Sequence, residues 1–219
     1  MYVKDYMTAD PYCIKPDTSV SKALDIMEQN DFHRLPVVDD ENHLIGLVTE
    51  GLISESSGSS TTSLSIYELN YLLSRTKVSE IMIREVRTIS SEALLEEAAE
   101  KMTSEHINVL PIIDDDRRVI GIITENDIFQ AFIDLLGYRA EGTRFVFSVT
   151  DDRPGLMENV CAAFAKENIN ILNLGVYHNK RGIEVVVLVA GDCAHMKEKL
   201  EAEGWKIADV RRQEGRKPL

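Results

Sequence analysis

Cysteine is scarce in this 219-residue chain, and Cys13, Cys161 and Cys193 are odd in number and far apart. That excludes a disulfide framework or a paired-cysteine metal site, and it fits thiols kept reduced in a cytoplasm. Aromatic residues are few (6%, one tryptophan), so the 44% hydrophobic fraction is mostly aliphatic, enough to fill real cores. No apolar run approaches the ~20 residues that would cross a bilayer. The opening MYVKDYMTADPY lacks the apolar stretch of a secretory signal. The expectation is a cytoplasmic protein with no membrane contact. The five histidines (33, 43, 106, 178, 195) show no ligand spacing, so no metal is expected. Glycine-rich phosphate loops, metal clusters and nucleophile–base pairings are also missing, so no catalytic residue is assigned and an enzyme is not expected.

Positive charge is short as well. The 24 basic and 37 acidic side chains leave a net charge of −13. Residues 1–138 hold 11 basic and 25 acidic groups (−14), and residues 139–219 hold 13 and 12 (+1). A field of that sign repels DNA and RNA, so any bound phosphate needs a local, pre-organised site. The basic ending RRQEGRKPL is read as a solvated, frayed terminus.

What the chain does have is a repeat. Shifted by 75 residues, positions 3–53 align with 78–128 without a gap, and 14 of 51 are identical. Ordinary residue usage would give about 3. Each copy carries an amphipathic helix, with Val20, Ala23, Leu24 and Met27 repeated as Leu95, Ala98, Ala99 and Met102. Asp17-Thr18 and Ser90-Ser91 supply cap types ahead of it. LPVVD and LPIID, then LIGLVT and VIGIIT, predict two buried strands around an acidic turn. A second helix starts near Thr49 or Thr124, and short extended lead-ins (Tyr12–Ile14, Arg87–Ile89) precede each copy. The methionines at 7, 27, 82 and 102 read as core filler.

Boundaries follow from composition. The first repeat takes residues 1–55. SESSGSSTTS opens a flexible linker, and Ile66, Leu69, Leu72 and Leu73 predict a connecting helix, together 56–76. The second repeat takes 77–135, a connector 136–142, a further module 143–212 and a tail 213–219. In that module RFVFSV, a helical stripe of Leu156, Val160, Ala163 and Phe164, two strands joined by NKRG, a helix ending at Gly204 and WKIADV give the order βαββαβ. Pro154 is placed in the first turn of the helix. The fold class is therefore α/β in the broad sense (α+β), with a ferredoxin-like sheet whose open face or edge invites self-association.

HRLPVVDDENHLIGLVTEGLI and NVLPIIDDDRRVIGIITENDI resemble the core of cystathionine-β-synthase-type (CBS) domains, so the duplicated part resembles a tandem CBS pair. DDRPGLMENVCAAFAKENINI resembles the start of an ACT domain, a small amino-acid-sensing module. A CBS pair followed by an ACT domain is similar to bacterial acetoin-utilisation accessory proteins. The resemblance implies an adenosine-containing regulatory ligand, an adenine nucleotide or S-adenosylmethionine, between the CBS repeats of a homodimer. It implies that Asp127 accepts from the ribose hydroxyls, that Thr124 holds phosphate or ribose, and that Thr88, Ile89, Val109, Leu110 and Pro111 line the adenine slot. Arg34 stands where such domains often hold a phosphate, and its counterpart Val109 has no charge. Leu52, in the place of Asp127, leaves the first half-site without its carboxylate, so one nucleoside site per chain is expected. For the ACT module the resemblance implies an amino-acid site at Asp151, Arg153, Pro154, Gly155 and Asn173. The residues alone leave other readings open. Thr124 and Asp127 also fit a helix cap, with Thr124 at the N-cap and the acid at the third helical position. Asn173 also fits a bond to local backbone. A regulatory sensor passing its signal to a partner enzyme and a constitutive dimeric scaffold with vestigial pockets both fit the chain.

Overall fold

The computed structural model describes residues 1–56, 66–150, 153–180 and 182–216. Most of the serine-rich linker, Asp151 and Asp152, Arg181 of the NKRG turn and the last three residues lie outside that set. The chain divides into two units, Met1–Ile128 and Phe129–Leu219.

In the first unit the elements are β1 (Thr8–Ala9), α1 (Val20–Asn30), β2 (Arg34–Val38), β3 (Leu44–Thr49), α2 (Glu50–Ser56), α3 (Ile66–Arg75) and α4 (Val78–Ile81). The second copy continues with α5 (Leu95–Glu105), β4 (Val109–Ile113), β5 (Val119–Thr124) and α6 (Glu125–Leu135), whose last turns belong to the second unit. Helix α1 starts where the Ser19 hydroxyl accepts from Lys22 N–H (3.2 Å). Helix α5 has Leu94 at that place, and Glu97 reaches back to accept from Leu94 N–H (2.7 Å). The caps therefore lie one to four residues beyond Asp17-Thr18 and Ser90-Ser91. Both helices end in a left-handed residue, Asp31 (φ 56°) and His106 (φ 55°), and both strand turns use another, Asn42 (φ 69°) and Arg117 (φ 65°). The backbone has kept the repeat at these positions although the side chains differ.

Strands β2 and β3 pair antiparallel with Arg34 opposite Thr49, and β4 and β5 pair with Val109 opposite Thr124. Val20, Ala23 and Met27 pack on Leu35, Val37 and Val48 in the first copy. Leu95, Ala98, Met102, Leu110, Ile112 and Ile123 are the buried counterparts in the second. The segments just ahead of the lead-ins are exchanged, while Ile14 and Ile89 of the lead-ins themselves pair in parallel with Val37 and Ile112 of their own repeats. Thr8 pairs with Ile122 of the second repeat, and Ile83 of the second repeat bonds Leu47 of the first in both directions (2.9 Å each). Gly46 and Gly121 make room for this crossing: an added Cβ would meet Met82 Sδ at 2.4 Å in one copy and Met7 Sδ at 2.6 Å in the other.

The second unit comprises β6 (Gly142–Val149), α7 (Leu156–Ala165), β7 (Ile171–Asn179), β8 (Gly182–Ala190), α8 (Met196–Ala202) and β9 (Ile207–Gln213). Its antiparallel sheet has the order β7-β8-β6-β9, the split βαββαβ arrangement. Val160, Ala163 and Phe164 of α7 and Met196 and Leu200 of α8 cover Phe145, Phe147, Val185 and Val187 on one face. Helix α7 starts at Leu156 after Gly155 (φ 89°), so Pro154 precedes the first turn rather than occupying it. The opposite face is partly covered from within the chain. Gly137 sits against Leu188 and Asn173, and Gln213 Nε2 donates to Gly137 O (2.7 Å) and Ala140 O (2.6 Å). Nor does the basic ending fray from its start: Arg211, Arg212 and Gln213 belong to β9, paired with β6.

Candidate ligand-binding clefts

Two clefts lie in the first unit, each where the end of one repeat's second strand meets the other repeat's lead-in and first strand. The cleft holding Thr124, Asn126 and Asp127 has a volume of about 290 Å³. Facing them are Tyr12, Phe32, His33, Arg34 and Pro36 of the first repeat. Its counterpart, about 550 Å³, holds Thr49 and is faced by Arg87, Ile107, Asn108 and Val109 of the second.

Asp127 occupies the third position of α6. Its Oδ2 accepts from Thr124 N–H (2.7 Å) and from the Thr124 hydroxyl (2.8 Å). This is half of a capping box, in which the acid, not the threonine, is the acceptor. In the first repeat the Thr49 hydroxyl accepts from Leu52 N–H (3.1 Å), the ordinary cap geometry, and Leu52 turns toward the core of that repeat. The change from leucine to aspartate thus reverses the threonine's role and adds a carboxylate to the cleft wall.

Of the residues the resemblance implies beside Asp127, Thr124 and Arg34 share its cleft. Thr88 and Ile89 line neither cleft, and Leu110 and Pro111 are buried strand residues outside both. Val109 lines the Thr49 cleft, while Arg34 lies in the Asp127 cleft. The physical reason is the crossing made by Thr8–Ala9 and by Ile83, which sets the end of each second strand against the repeat it does not belong to. Tyr12, Phe32 and His33 are the additional residues there, and the 75-residue offset from Arg87, Ile107 and Asn108 pairs them across the two clefts. The Tyr12 and Phe32 rings lie 6.4 Å apart at 45°, both with substantial solvent exposure. Arg34 is steadied by a bond from Nε to Asn108 Oδ1 (3.1 Å), and His33 Nδ1 lies 2.9 Å from Glu50 Oε2.

In the second unit, Arg153 lines a cleft of about 460 Å³ with Ser148, Asn159, Trp205 and Lys206. Pro154 and Gly155 are exposed beside it, and Asp151 lies outside the described residues. Asn173 is not with them. It pairs with Leu188, which pairs with Arg144 near the start of β6, and its Nδ2 donates to Leu135 O (2.6 Å) at the end of α6. Asp39, Glu41 and His43 form one cluster of potential metal-ligating atoms among the described residues. Asp39 Oδ1 is already engaged by the N–H groups of Glu41 (3.1 Å) and His43 (2.8 Å), which makes this an acidic turn.

Two helix–strand–strand–helix units, each paired with a segment of the other and together walling two clefts, define a duplicated paired module. Residues 3–55 and 78–134 match the CBS domain, and the chain belongs to the CBS-domain family. A CBS domain-containing protein of Dictyostelium discoideum is 31% identical over 134 residues, which cover 61% of this chain and 92% of that one. Homoserine O-acetyltransferase of Methanohalobium evestigatum is 38% identical over 127 residues, 58% of this chain but only 23% of the enzyme's length. Among solved structures, the CBS pair of protein MJ0100 in complex with 5'-methylthioadenosine and S-adenosylmethionine is 28% identical, with a TM-score of 0.52 over 60% of this chain and 99% of that one. CBSX2 in complex with AMP is 29% identical (TM-score 0.52; 61% and 97%). A putative acetoin utilisation protein from Vibrio cholerae is 27% identical (TM-score 0.52; 63% and 93%). No helix among the described residues is long and apolar enough to cross a membrane.

Proposed function

We propose that this chain is a non-catalytic regulatory sensor whose CBS pair binds one adenosine-containing ligand in the Thr124–Asp127 cleft. The observation that carries the reading is the meeting, in one cleft, of a carboxylate, two aromatic rings and a guanidinium. Asp127 uses Oδ2 on Thr124 and leaves Oδ1 for a vicinal diol, which needs an acceptor pair or a single strong acceptor. Tyr12 and Phe32 offer ring faces to a purine. Arg34, in a half of the chain whose charge is −14, supplies the local cation a phosphate requires. That set favours an adenine nucleotide over the cationic S-adenosylmethionine. The structures with AMP and with S-adenosylmethionine support the class of ligand. With Leu52 and Val109 in place of Asp127 and Arg34, the Thr49 cleft lacks the counterparts of both anchors, and its own Arg87 is already paired with Glu105 (2.8 Å), so one site per chain is proposed.

The second unit is proposed to be an ACT-like module taking an amino acid or similar small acid in the Arg153 cleft, and the protein to work as a cytoplasmic homodimer acting on a partner enzyme. Acetoin catabolism is the proposed setting, on the likeness to the Vibrio cholerae protein. The test is a calorimetric panel of AMP, ADP, ATP, NAD, 5'-methylthioadenosine and S-adenosylmethionine, then of the amino acids. Saturable binding of a phosphate-bearing adenosine compound, one per chain, is expected. Failure of every compound to bind the folded protein would replace the sensor with a scaffold whose pockets are vestigial.

A further inference from the structure

Four of the chain's 13 arginines come together in one place. Arg211, Arg212 and Arg216, with Arg144 of β6, line a cleft of about 710 Å³ within the second unit. Phe132, Ile133, Leu136 and Tyr138 give it an apolar side, and Glu214 is the single carboxylate among the described lining residues. Arg211 and Arg212 spend their charge nearby, on Asp209 (2.5 Å) and on Asp192 (2.5 Å). Among the described residues, Arg144 and Arg216 form no such pair. Arg144 Nη2 donates to Leu136 O (2.9 Å) and Gln213 Oε1 (3.4 Å). Arg216 Nη1 donates to the Tyr138 hydroxyl, and its guanidinium lies 4.7 Å from the centre of that ring.

Neutral partners hold a guanidinium in position without cancelling its charge, and each still has further N–H donors to offer. The frame is set before anything binds, since Gln213 is itself tied to Gly137 and Ala140. Phe132 and Tyr138, 57% and 44% exposed, present carbon surface beside these cations. The volume falls within the roughly 300–1,000 Å³ of small-molecule pockets.

We infer that this cleft binds a small organic anion. Its carboxylate or phosphate group sits between Arg144 and Arg216, and its carbon skeleton lies on Phe132, Leu136 and Tyr138. The cleft shares no residue with the Thr124–Asp127 cleft or with the Arg153 cleft, so it stands apart from the function proposed above.

The test is calorimetry on the full chain carrying Asp127→Ala, so that the nucleoside cleft contributes little, with phenyl phosphate, hexanoate and inorganic phosphate as probes. Phenyl phosphate or hexanoate is expected to bind saturably, one per chain, and Arg216→Gln to weaken it about tenfold or more. Phe132→Ser should weaken both organic probes and leave inorganic phosphate unchanged. Arg144→Gln should act as Arg216→Gln does; if it unfolds the unit, the exposed Arg216 decides the matter alone. Absence of saturable binding by both organic probes overturns the inference. So does affinity that survives Arg216→Gln, or preference for inorganic phosphate over both organic anions, which would leave only diffuse charge attraction.

Discussion

Replacing Asp127 with alanine separates two jobs done by one carboxylate. Oδ2 ties down Thr124 through two hydrogen bonds, 2.7 and 2.8 Å, at the start of α6. The site is half-buried, so water takes over part of that duty, and losing the cap should cost about 1 kcal/mol of stability. For a chain of this size that lowers the melting temperature by roughly 2–4 °C. The loss in binding is separate and larger in effect. A diol hydrogen-bonded to a carboxylate is worth about 1–3 kcal/mol, so affinity for AMP should fall about ten- to hundredfold. Asp127→Asn is the informative companion. Its amide oxygen can accept from Thr124 and preserve the cap, while its NH2 offers the diol a donor in place of an acceptor. Stability close to wild type with weakened AMP binding is therefore expected. Calorimetric titration and thermal unfolding on the three proteins read both quantities. Equal AMP affinity in wild type and Asp127→Ala, with the fold intact, would refute the assignment and leave Asp127 a helix cap alone.

The Cys13 thiol is pushed up to about 11 from 9.0 by burial, against a smaller opposing pull from Lys15. The unfolded chain ionises that thiol first, so the stabilising contribution is complete below about pH 9 and is lost as the pH rises toward 11. Denaturant unfolding of wild type and Cys13→Ala at about pH 8 and about pH 10.5 should show the gap narrowing, and a constant gap would contradict this. Gly142→Ala would set a Cβ 2.1 Å from Val189 O, a backbone atom of the paired strand β8, and should destabilise the second unit by about 3 kcal/mol by urea unfolding. Gly121→Ala meets the flexible end of Met7 instead and should cost less, so equal losses would count against the packing argument. Light scattering at micromolar concentration should give about twice the 24.7 kDa chain mass, and a monomer with and without AMP would exclude the proposed homodimer.

The parts of this protein set by local pattern were legible along the chain. Apolar spacing marked α1 and α5, the Leu-Pro runs marked β2 and β4, and the order of elements in the second unit followed from turn residues and periodicity. Cap positions slipped because Ser19 and Glu97 do the work in different ways, and a cap depends on which backbone N–H is free. The site was half-legible. Thr124 and Asp127 are neighbours on one helical turn, so their bond is nearly a property of the sequence. Their partners are not: Tyr12, Phe32 and Arg34 lie about a hundred residues away, and aligning the repeats ties them to Thr49 just as readily as to Thr124.

The same division runs through the rest of the molecule. By itself the sequence determined that there are two copies of one unit, that only the second carries the carboxylate, and that a different module follows. These rest on residue identity and short-range periodicity. Only the tertiary structure decided that Thr8–Ala9 and Ile83 cross to the other repeat, that Asn173 spends its amide on Leu135 O, and that a basic ending forms β9 and one wall of a cleft. Each of those depends on which distant backbone groups and guanidiniums are brought within hydrogen-bonding reach, and that is a property of packing, which no local pattern encodes.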